Sequence, residues 1–388
     1  MRLLEDKDKC FGCSACSMAC PKTAIEMIAD EKGFLYPTIN NSKCINCGIC
    51  ERVCQIDREK RYLNPIPIES YGIKNTDKVR LASSSGGVYS LISSYIINNN
   101  GVCFGVRFDE HMNVVFDKAC LDRERDLFRG SKYVTPLHND VYKKVGVYLK
   151  LGTKVLFTGS SCQVAGLLFY LDEKNINRNN LLTIDMLCHG MPSHKVWKDY
   201  IAFLEELEKS KVVEYRFRDK SQGWRGLQVF ARLKDDRVIK NSAYLNSYST
   251  LFNRDVIIRP SCFECPFCKK ERIGDITIGD FWGIEKIDSE FDDSKGVSLM
   301  MINTPKGEKI FNNLSHCIPE LRKYGTSLIN QPNLTSPTSK APFYSYFWRL
   351  YNKKGYSAVI KRWAFCDNKI KLFCYKLIDA IRYMFKRK

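Results

Sequence analysis

The stretch "CFGCSACSMACPKTAI" occupies residues 10–25 and carries four cysteines in the pattern C-x2-C-x2-C-x3-C-P. A second stretch, "CINCGICERVC" at residues 44–54, repeats the cysteine spacing, with Gln55 where the proline would stand. Three cysteines spaced in this way form a tight loop that offers three thiolates to one cube-shaped iron–sulfur cluster, and the fourth lies on the following helix and points elsewhere. The repeat therefore predicts a small iron–sulfur domain near the start of the chain.

Residues 1–60 resemble the bacterial two-cluster ferredoxins, in which the fourth cysteine of each motif ligates the other cluster. The resemblance implies two [4Fe–4S] clusters whose ligands are exchanged between the two motifs. The expected ligands of the first cluster are Cys10, Cys13, Cys16 and Cys54, and those of the second are Cys44, Cys47, Cys50 and Cys20. Structural zinc is the alternative, but zinc takes four ligands in two separated pairs, which these eight cysteines do not match.

The 388-residue chain has 18 cysteines, so a disulfide scaffold is another class to weigh. Its first residues, "MRLLEDKDKC", lack the apolar core of a secretion signal. No stretch reaches the roughly 18 uncharged apolar residues that are needed to span a bilayer. We therefore expect a cytoplasmic protein, and in a reducing compartment clustered cysteines indicate metal or redox chemistry.

The formal net charge of +18 is unevenly distributed along the chain. Residues 1–64 hold 10 basic and 9 acidic residues, whereas the rest of the chain holds 51 and 34. Such a basic body favours an anionic partner, such as a phosphorylated cofactor, an acidic protein, lipid headgroups or nucleic acid. No recognition motif accompanies the charge, so a nucleic-acid-binding protein is disfavoured.

After a connector at residues 64–70, "NPIPIES", strand and helix patterns alternate, which indicates an α/β body. The predicted strands of this body are "VCFGVRF", "NVVFDKA", "TKVLFTG" and "LLTIDMLC". The predicted helices lie in "SSSGGVYSLISSYIINNNG", "NDVYKKVGVYLKLG", "SCQVAGLLFYL" and "SHKVWKDYIAFLEELEKS". The expected fold class is α+β / α/β, with a two-cluster ferredoxin-like head containing the strands "TAIEMI" and "FLYPTIN", an α/β body and a basic helical tail.

Three features of the body indicate chemistry. The loop "SSSGG" at residues 83–87 opens a helix and suits an anion, although a capped helix is the simpler interpretation. Cys162 and Cys188 each follow a buried strand, where α/β sheets bind ligands, although free cysteines are also common as small buried residues. A third C-x2-C-x2-C motif lacks a local fourth cysteine and needs a partner from elsewhere, with zinc as the alternative occupant. Its members are Cys262, Cys265 and Cys268.

Five motifs, in this order, resemble those of the beta subunit of coenzyme F420 hydrogenase/dehydrogenase: "SSSGGVYSLISSYI", "RGSKYV", "FTGSSCQVAGLL", "MLCHGMPS" and "CFECPFCKKERIGDITIGDFWG". The resemblance implies a third [4Fe–4S] cluster beside a bound FAD. The implied cluster ligands are Cys162, Cys188, Cys262 and Cys265, with Cys268 as a spare. The implied flavin contacts are Ser85, Gly86, Gly87, Gly130, Ser131, Lys132 and Tyr133. One departure is Ser161, which stands where the family usually has a proline before its first cysteine.

The resemblance implies an iron–sulfur flavoprotein oxidoreductase that passes electrons between a hydride donor or acceptor at FAD and ferredoxin-type one-electron partners. Coenzyme F420 is a candidate substrate, and ferredoxin, another redox protein or partner subunits are candidate partners. The alternatives are a non-enzymatic electron-transfer subunit of a larger complex, and a reductase serving polysaccharide or other surface-polymer biosynthesis. No catalytic acid, base or nucleophile is identified, and a structural role is expected for His189, which follows Cys188.

These expectations divide the chain into five parts. Residues 1–63 form the two-cluster domain, and residues 64–75 form a linker. Residues 76–150 and 151–330 correspond to the N-terminal and C-terminal regions of the beta subunit, and the latter region holds the third cluster. Residues 331–388 form a C-terminal extension with a basic amphipathic helix.

The tail yields the first testable prediction. Ile370, Phe373, Leu377, Ile381 and Met384 recur at helical spacing among lysines and arginines, so the segment suits peripheral contact with an anionic membrane, although a helix docked on the body is the favoured interpretation. If the tail binds membranes, deletion of residues 356–388 abolishes co-sedimentation with anionic liposomes, because the deletion removes the basic helix. Equal partitioning of the full-length and truncated chains would reject the membrane role.

Overall fold

The computed structural model describes residues 5–226, 228–325, 329 and 331–366. The amphipathic helix predicted around residues 370–386 lies outside this part of the chain. The strands are β1 (Ile25–Ala29), β2 (Leu35–Ile39), β3 (Glu69–Lys74), β4 (Val102–Phe108), β5 (Val114–Ala119), β6 (Val155–Ser160), β7 (Leu181–Met186), β8 (Val212–Asp219), β9 (Gln228–Leu233), β10 (Val238–Lys240), β11 (Ile276–Asp280), β12 (Ser298–Ile302) and β13 (Glu320–Tyr324).

The helices lie mainly between these strands. They are α1 (Ala15–Ala19), α2 (Ile49–Arg52), α3 (Asp77–Leu81), α4 (Val88–Asn98), α5 (Asp122–Arg125), α6 (Val141–Lys150), α7 (Ser161–Glu173), α8 (His194–Glu208), α9 (Ser247–Asn253), α10 (Ile284–Ile287), α11 (Pro305–Leu314) and α12 (Tyr344–Val359). A π-helical turn, Ile360–Ala364, follows α12, and Gly355 interrupts the helical backbone of α12 with a φ of 73°.

An eight-stranded mixed sheet in the order β13-β3-β12-β11-β7-β6-β4-β5 forms the centre of the body. Its middle strands, β11, β7, β6 and β4, run parallel to one another, and the outer pairs are antiparallel. All residues of β6 and nearly all of β7 are buried, which matches the continuous apolar runs expected of central parallel strands. The parallel pairing brings the carboxyl ends of β6, β7 and β11 to one edge.

Helices cover both faces of this sheet. On one face Ile92 and Ile96 of α4 and Phe311 of α11 share a core with Leu156 of β6. On the other face α6 and α7 pack against Phe157, the next residue of the same strand. The alternation follows from the two-residue side-chain period of a strand.

Residues 5–63 fold against the body. Ala15 and Met18 of α1 belong to the same core as Leu167 and Leu168 of α7. The antiparallel hairpin of β1 and β2 packs through Phe34, which contacts Trp348 of α12 edge-on at 5.9 Å. The iron–sulfur head therefore shares buried surface with two separate regions of the body.

A second body layer contains α8, α9, α12 and the antiparallel sheet β10-β9-β8. Its core is rich in aromatic rings, with Trp197 in contact with Tyr200, Tyr215 and Tyr248. Among the described residues no helix is long and apolar enough to cross a membrane.

The structure confirms the expected fold class and every strand and helix predicted within the head and the first part of the body. It differs in the stretch assigned to the linker, residues 64–75. Within that stretch Glu69–Lys74 forms β3, which lies between β13 and β12 and is mostly buried. Because the proline-rich residues precede a strand of the main sheet, the connector is confined to residues 64–68. The domain boundaries remain predictions.

Gly86 provides a test of the packing between β3, β12 and the loop before α4. A Cβ atom at Gly86 would lie 2.0 Å from the carbonyl oxygen of Ile73 and 2.4 Å from the amide nitrogen of Ser298. Since both neighbours are backbone atoms of the sheet, Gly86→Ala should lower the free energy of unfolding by about 1–3 kcal/mol. Thermal or denaturant unfolding under anaerobic conditions measures the effect.

Gly226→Ala is the matched control, because its Cβ would meet only side-chain atoms of Gln228 and Gln222 at 3.5 Å or more. This variant should stay within about 0.5 kcal/mol of the parent chain. Equal stability of the two variants would contradict the proposed close packing at Gly86.

Candidate functional site

The first cysteine set consists of Cys10, Cys13, Cys16 and Cys54, which line one small cavity in the head. Three members come from the first motif and Cys54 from the second, so the chain brings together the exchanged set expected from the ferredoxin pattern. Burial, together with the neighbouring Cys10 and Cys54, raises the pKa of Cys13 to about 12. Apolar walls, including Phe11 and Ile56, shield the cavity.

The second cysteine set consists of Cys20, Cys44, Cys47 and Cys50, which line a second cavity. Cys50 also borders the first cavity, so the two sets adjoin. Cys47 is exposed, whereas Cys50 is buried. The second set therefore reaches the protein surface through Cys47.

Backbone geometry positions these thiols. Ser14 and Gly48 adopt left-handed conformations, with φ of 61° and 72°, at the starts of α1 and α2. Backbone N–H groups donate to sulfur at Cys10, from Gly12 at 3.4 Å, and at Cys20, from Ala24 at 3.3 Å. Such N–H···S bonds are one means by which proteins tune iron–sulfur clusters.

The third cysteine set consists of Cys162, Cys188, Cys262, Cys265 and Cys268. Cys162 lies in the first turn of α7, Cys188 follows β7, and the other three come from the loop before β11. Burial raises the pKa of Cys188 well above its usual value, and the nearby Cys262, Cys162 and Cys265 raise it further. The hydrogen bond with Cys268, together with burial, raises the pKa of Cys265, and the same bond lowers that of Cys268.

The donor chemistry of all three sets fits [4Fe–4S] clusters, since each offers at least four thiols. The thiols of the two head sets line shared cavities, and those of the third set lie close enough to Cys188 to affect its charge. No disulfide joins the 17 cysteines of the described residues. Among these same residues no three His, Cys, Asp or Glu side chains could together hold a single metal ion. In a [4Fe–4S] cluster the thiolates surround a cube of four irons. The raised thiol pKa values mean that metal binding must displace protons.

A buried ion pair between Arg272 and Asp185 supports the third set. The Arg272 Nη2 and Asp185 Oδ2 atoms are 2.6 Å apart, and the two side chains are 2% and 0% exposed. Arg272 Nη1 donates to the carbonyl of Phe267 at 2.7 Å, within the loop of three cysteines. Asp185 lies on β7 three residues before Cys188. The pair therefore ties two of the cysteine-bearing segments together.

Ser161 joins the third segment to this ion pair. Its hydroxyl donates to Asp185 Oδ2 at 2.8 Å and accepts from Arg272 Nη2 at 2.8 Å. The expected family residue, proline, would suit the first turn of a helix but could not make these bonds. Helix α7 begins without it, because Ser160 forms a capping box with Gln163. The departure at Ser161 thus leaves the turn intact and adds a polar contact.

A cleft of about 250 Å³ lies beside the third set, at the carboxyl ends of the parallel strands. Six of the seven expected flavin contacts line it: Ser85, Gly87, Gly130, Ser131, Lys132 and Tyr133. Gly86 does not line the cleft, because it faces the backbone of β3 and β12. Cys188 and His189 also line it, so the cleft and the third cysteine set share a residue.

The serine hydroxyls of the loop at residues 83–87 form hydrogen bonds within the protein. Ser83 and Ser85 donate to the carbonyl oxygens of Val79 and Val297, each at 2.7 Å, and Ser84 Oγ accepts from the amide of Ser131 at 2.6 Å. The first residues of α4 line the cleft, and no side chain caps the helix at Gly87. An anion would therefore be held by the helix N-terminus, and the hydroxyls shape the loop.

Two further polar groups suit an anionic ligand in the cleft. Thr158 Oγ1 is buried, lines the cleft and has no hydrogen-bond partner among the described residues. Burial lowers the pKa of Lys132 to about 7, and its ammonium donates to the carbonyls of Arg129 and Gly130. A ligand phosphate would favour the charged form of Lys132.

Sequence reasoning did not identify several residues that build this site. Gln55 donates to the carbonyl of Cys162 at 2.8 Å and so links the head to the third set. Lys220 donates to the carbonyl of Ser85 at 2.6 Å and holds the serine–glycine loop. Asp280 ends β11, lines the cleft and accepts a hydrogen bond from Arg218 at 2.8 Å. These partners are far apart in sequence, and no spacing pattern marks them.

His189 is held in place at the cleft wall. Its Nε2 lies 2.7 Å from Asp255 Oδ1, and its ring contacts Phe252 edge-on at 5.1 Å. Thr338 Oγ1 donates to the carbonyl of His189. These contacts are compatible with the structural role expected from the sequence, and no catalytic acid or base is assigned.

Two parts of the chain match family models. Residues 152–318 match the family described as the C terminus of the coenzyme F420 hydrogenase/dehydrogenase beta chain, and residues 9–57 match a "4Fe-4S dicluster domain". Among curated proteins none matches the sequence. A chain of the F420-reducing [NiFe] hydrogenase complex from Methanosarcina barkeri is similar at 15% identity and a TM-score of 0.45, over 77% of this chain and 92% of that one.

The Arg272–Asp185 pair generates a prediction about stability. Arg272→Met leaves the carboxylate of Asp185 buried without its charge partner, which should destabilise the chain by about 3–5 kcal/mol. The matched control is Arg232→Met, which removes an exposed arginine paired with Glu214 at 3.1 Å and should cost about 1 kcal/mol or less. Anaerobic denaturant unfolding compares the two, and equal losses would show that the buried pair does not support the fold.

Proposed function

We propose that the chain is an iron–sulfur flavoprotein oxidoreductase of the coenzyme F420 hydrogenase/dehydrogenase beta subunit family, since residues 152–318 match the model of that family's C terminus and residues 9–57 match a 4Fe-4S dicluster domain. It exchanges electrons between a two-electron hydride carrier bound over FAD and a one-electron redox protein of the ferredoxin type. Coenzyme F420 is the first candidate for the hydride carrier. When bound, a flavin supplies hydride chemistry and the clusters supply one-electron chemistry.

The observation that carries the proposal is the position of Cys188. This residue lines the cleft and also lies among the thiols of the third set. A cofactor in the cleft would therefore sit beside a cluster held by Cys162, Cys188, Cys262 and Cys265. Transfer of electrons from a two-electron carrier to one-electron clusters requires a binding site for the carrier next to a cluster.

The three cysteine sets form a contiguous series from the cleft to the surface. Gln55, next to Cys54 of the first set, contacts the carbonyl of Cys162 in the third set. Cys50 borders both cavities of the head, and Cys47 is exposed. The order third, first, second set supports a path that ends where a protein partner can approach.

In the cleft the residues of the chain would bind and orient the cofactor and keep water away from it. The N-terminus of α4 and the half-buried Lys132 would hold the phosphates of a dinucleotide. Apolar side chains, including Val88, Phe128, Phe252 and Ile278, line the walls and limit access of solvent to a bound ring system. Tyr133 stacks on Phe252 at 5.2 Å, which fixes one wall.

A non-enzymatic electron-transfer subunit is the main rival. The cleft favours the enzyme, because a pure electron carrier needs no site for a second organic ligand. Steady-state reduction of a viologen dye by the isolated chain, with a deazaflavin or NAD(P)H as donor, separates the two hypotheses. Anaerobic EPR during titration with each donor identifies the hydride carrier. Three proposals made from the sequence stay proposals: a role in surface-polymer biosynthesis, a cytoplasmic location and contact with a membrane.

Cofactor content tests the proposal directly. Anaerobic reconstitution should yield about twelve irons and one flavin per chain, since three [4Fe–4S] clusters and one FAD are expected. Cys188→Ser should lose about four irons, whereas Cys120→Ser, an exposed cysteine outside the three sets, should lose none. Cys268→Ser should also keep its iron, because Cys268 is the spare thiol. Four or fewer irons and no flavin in the parent chain would overturn the proposal.

A further inference from the structure

Arg259 lies where the head meets the body. Its side chain is 1% exposed. Nη1 donates to the carbonyl of Cys10 at 2.8 Å, and Nη2 donates to the carbonyl of Leu35 at 2.7 Å. A Cβ atom at Gly12 would lie 2.5 Å from Nη2, so the loop of the first cysteine set closes directly onto the guanidinium.

The same arginine begins the loop of the third cysteine set. The amide of Cys262 donates to the carbonyl of Arg259 at 3.0 Å, and Ser261 Oγ donates to the carbonyl of Cys10 at 3.1 Å. Arg259 Nη1 and Ser261 Oγ donate to the same carbonyl oxygen, that of Cys10, so the guanidinium lies beside the residue that precedes Cys262. The guanidinium therefore lies within electrostatic reach of both sets.

Arg259 has no acidic partner in the described part of the chain. Its two terminal nitrogens donate to carbonyl oxygens, and Nε is buried without a hydrogen-bond partner there. The rings of Tyr36 and Phe34 lie 4.7 and 5.2 Å from the guanidinium carbon and offer only their π faces. A buried cation without a counter-charge is costly, so the position points to an anionic group that the side chains themselves do not supply.

We propose that Arg259 is the shared counter-charge of the clusters held by the first and third cysteine sets, and that it raises the reduction potentials of both. The inference rests on the proposed function, since it requires clusters in both sets. A thiolate-ligated [4Fe–4S] cluster is anionic and gains negative charge on reduction, so a nearby buried cation stabilises the reduced form. A single residue thus raises the reduction potentials of the first and third clusters together. The cluster of the second set, farther along the head, keeps its own potential.

The test is an EPR-monitored redox titration of the reconstituted holoprotein with dithionite as reductant. In Arg259→Gln the potentials of two clusters should shift to more negative values and the third should stay unchanged. Arg58→Gln is the matched control: its Nη2 donates to the carbonyl of Cys54 at 2.6 Å, so it removes the same charge beside the first set from a more solvent-exposed position. That variant should shift one potential at most, and by less than Arg259→Gln, because solvent screens the charge.

Unchanged potentials in Arg259→Gln, or an equal shift of all three, would overturn the inference. If Arg259→Gln does not fold with its iron, Arg259→Lys provides the test, because lysine keeps the charge and loses the paired donors. Wild-type potentials in Arg259→Lys would support a charge effect, and a drop in both would show that the hydrogen bonds alone matter. Iron and flavin content, measured on the parent chain, reports separately on the proposed function.

Discussion

The buried ion pair between Arg272 and Asp185 is the interaction on which the cysteine-rich centre of the body depends. Asp185 is fully satisfied, because Arg272 and Ser161 donate to Oδ2 and Thr277 donates to Oδ1. Complete hydrogen bonding is what makes a buried pair of charges tolerable. The pair joins β7, the start of α7 and the loop before β11, so the three segments that supply the third cysteine set cannot shift independently.

Close packing between head and body extends this arrangement to the other two sets. A Cβ atom at Gly166 of α7 would lie 3.1 Å from Cys13 Sγ, so a larger residue there would push the helix and the first set apart by a few tenths of an ångström. Arg52 of α2 pairs with Glu173 at the end of the same helix. Helix α7 thus contacts the head along its length, and it carries Cys162 at its first turn. The head is a continuation of the redox centre of the body.

The cleft depends on loops that the sheet collects at one edge. Parallel strands bring their carboxyl ends together, and the serine–glycine loop reaches the same edge because Gly86 packs without a side chain between β3 and β12. Lys220, from the end of the second layer, ties that loop in place through three carbonyl oxygens. The polar side chains in this region therefore serve mainly to shape the cleft, and the backbone of α4 presents the donors.

The sequence by itself determined the features that depend on neighbouring residues, namely the cysteine motifs and the strands and helices. Cysteine spacing predicted an iron–sulfur head, because a C-x2-C-x2-C loop offers three thiols to one cluster, and the resemblance to two-cluster ferredoxins implied the exchange of the fourth ligands. Apolar periodicity determined the strands and helices of the first body region, and family motifs pointed to Cys162, Cys188 and the cleft. Only the tertiary structure decided the roles of Arg259, Arg272, Asp185 and Gln55. The hydrogen-bond and ion-pair partners of these residues lie tens to hundreds of residues away in the sequence. The strength of these interactions depends on burial, which residue spacing does not reveal.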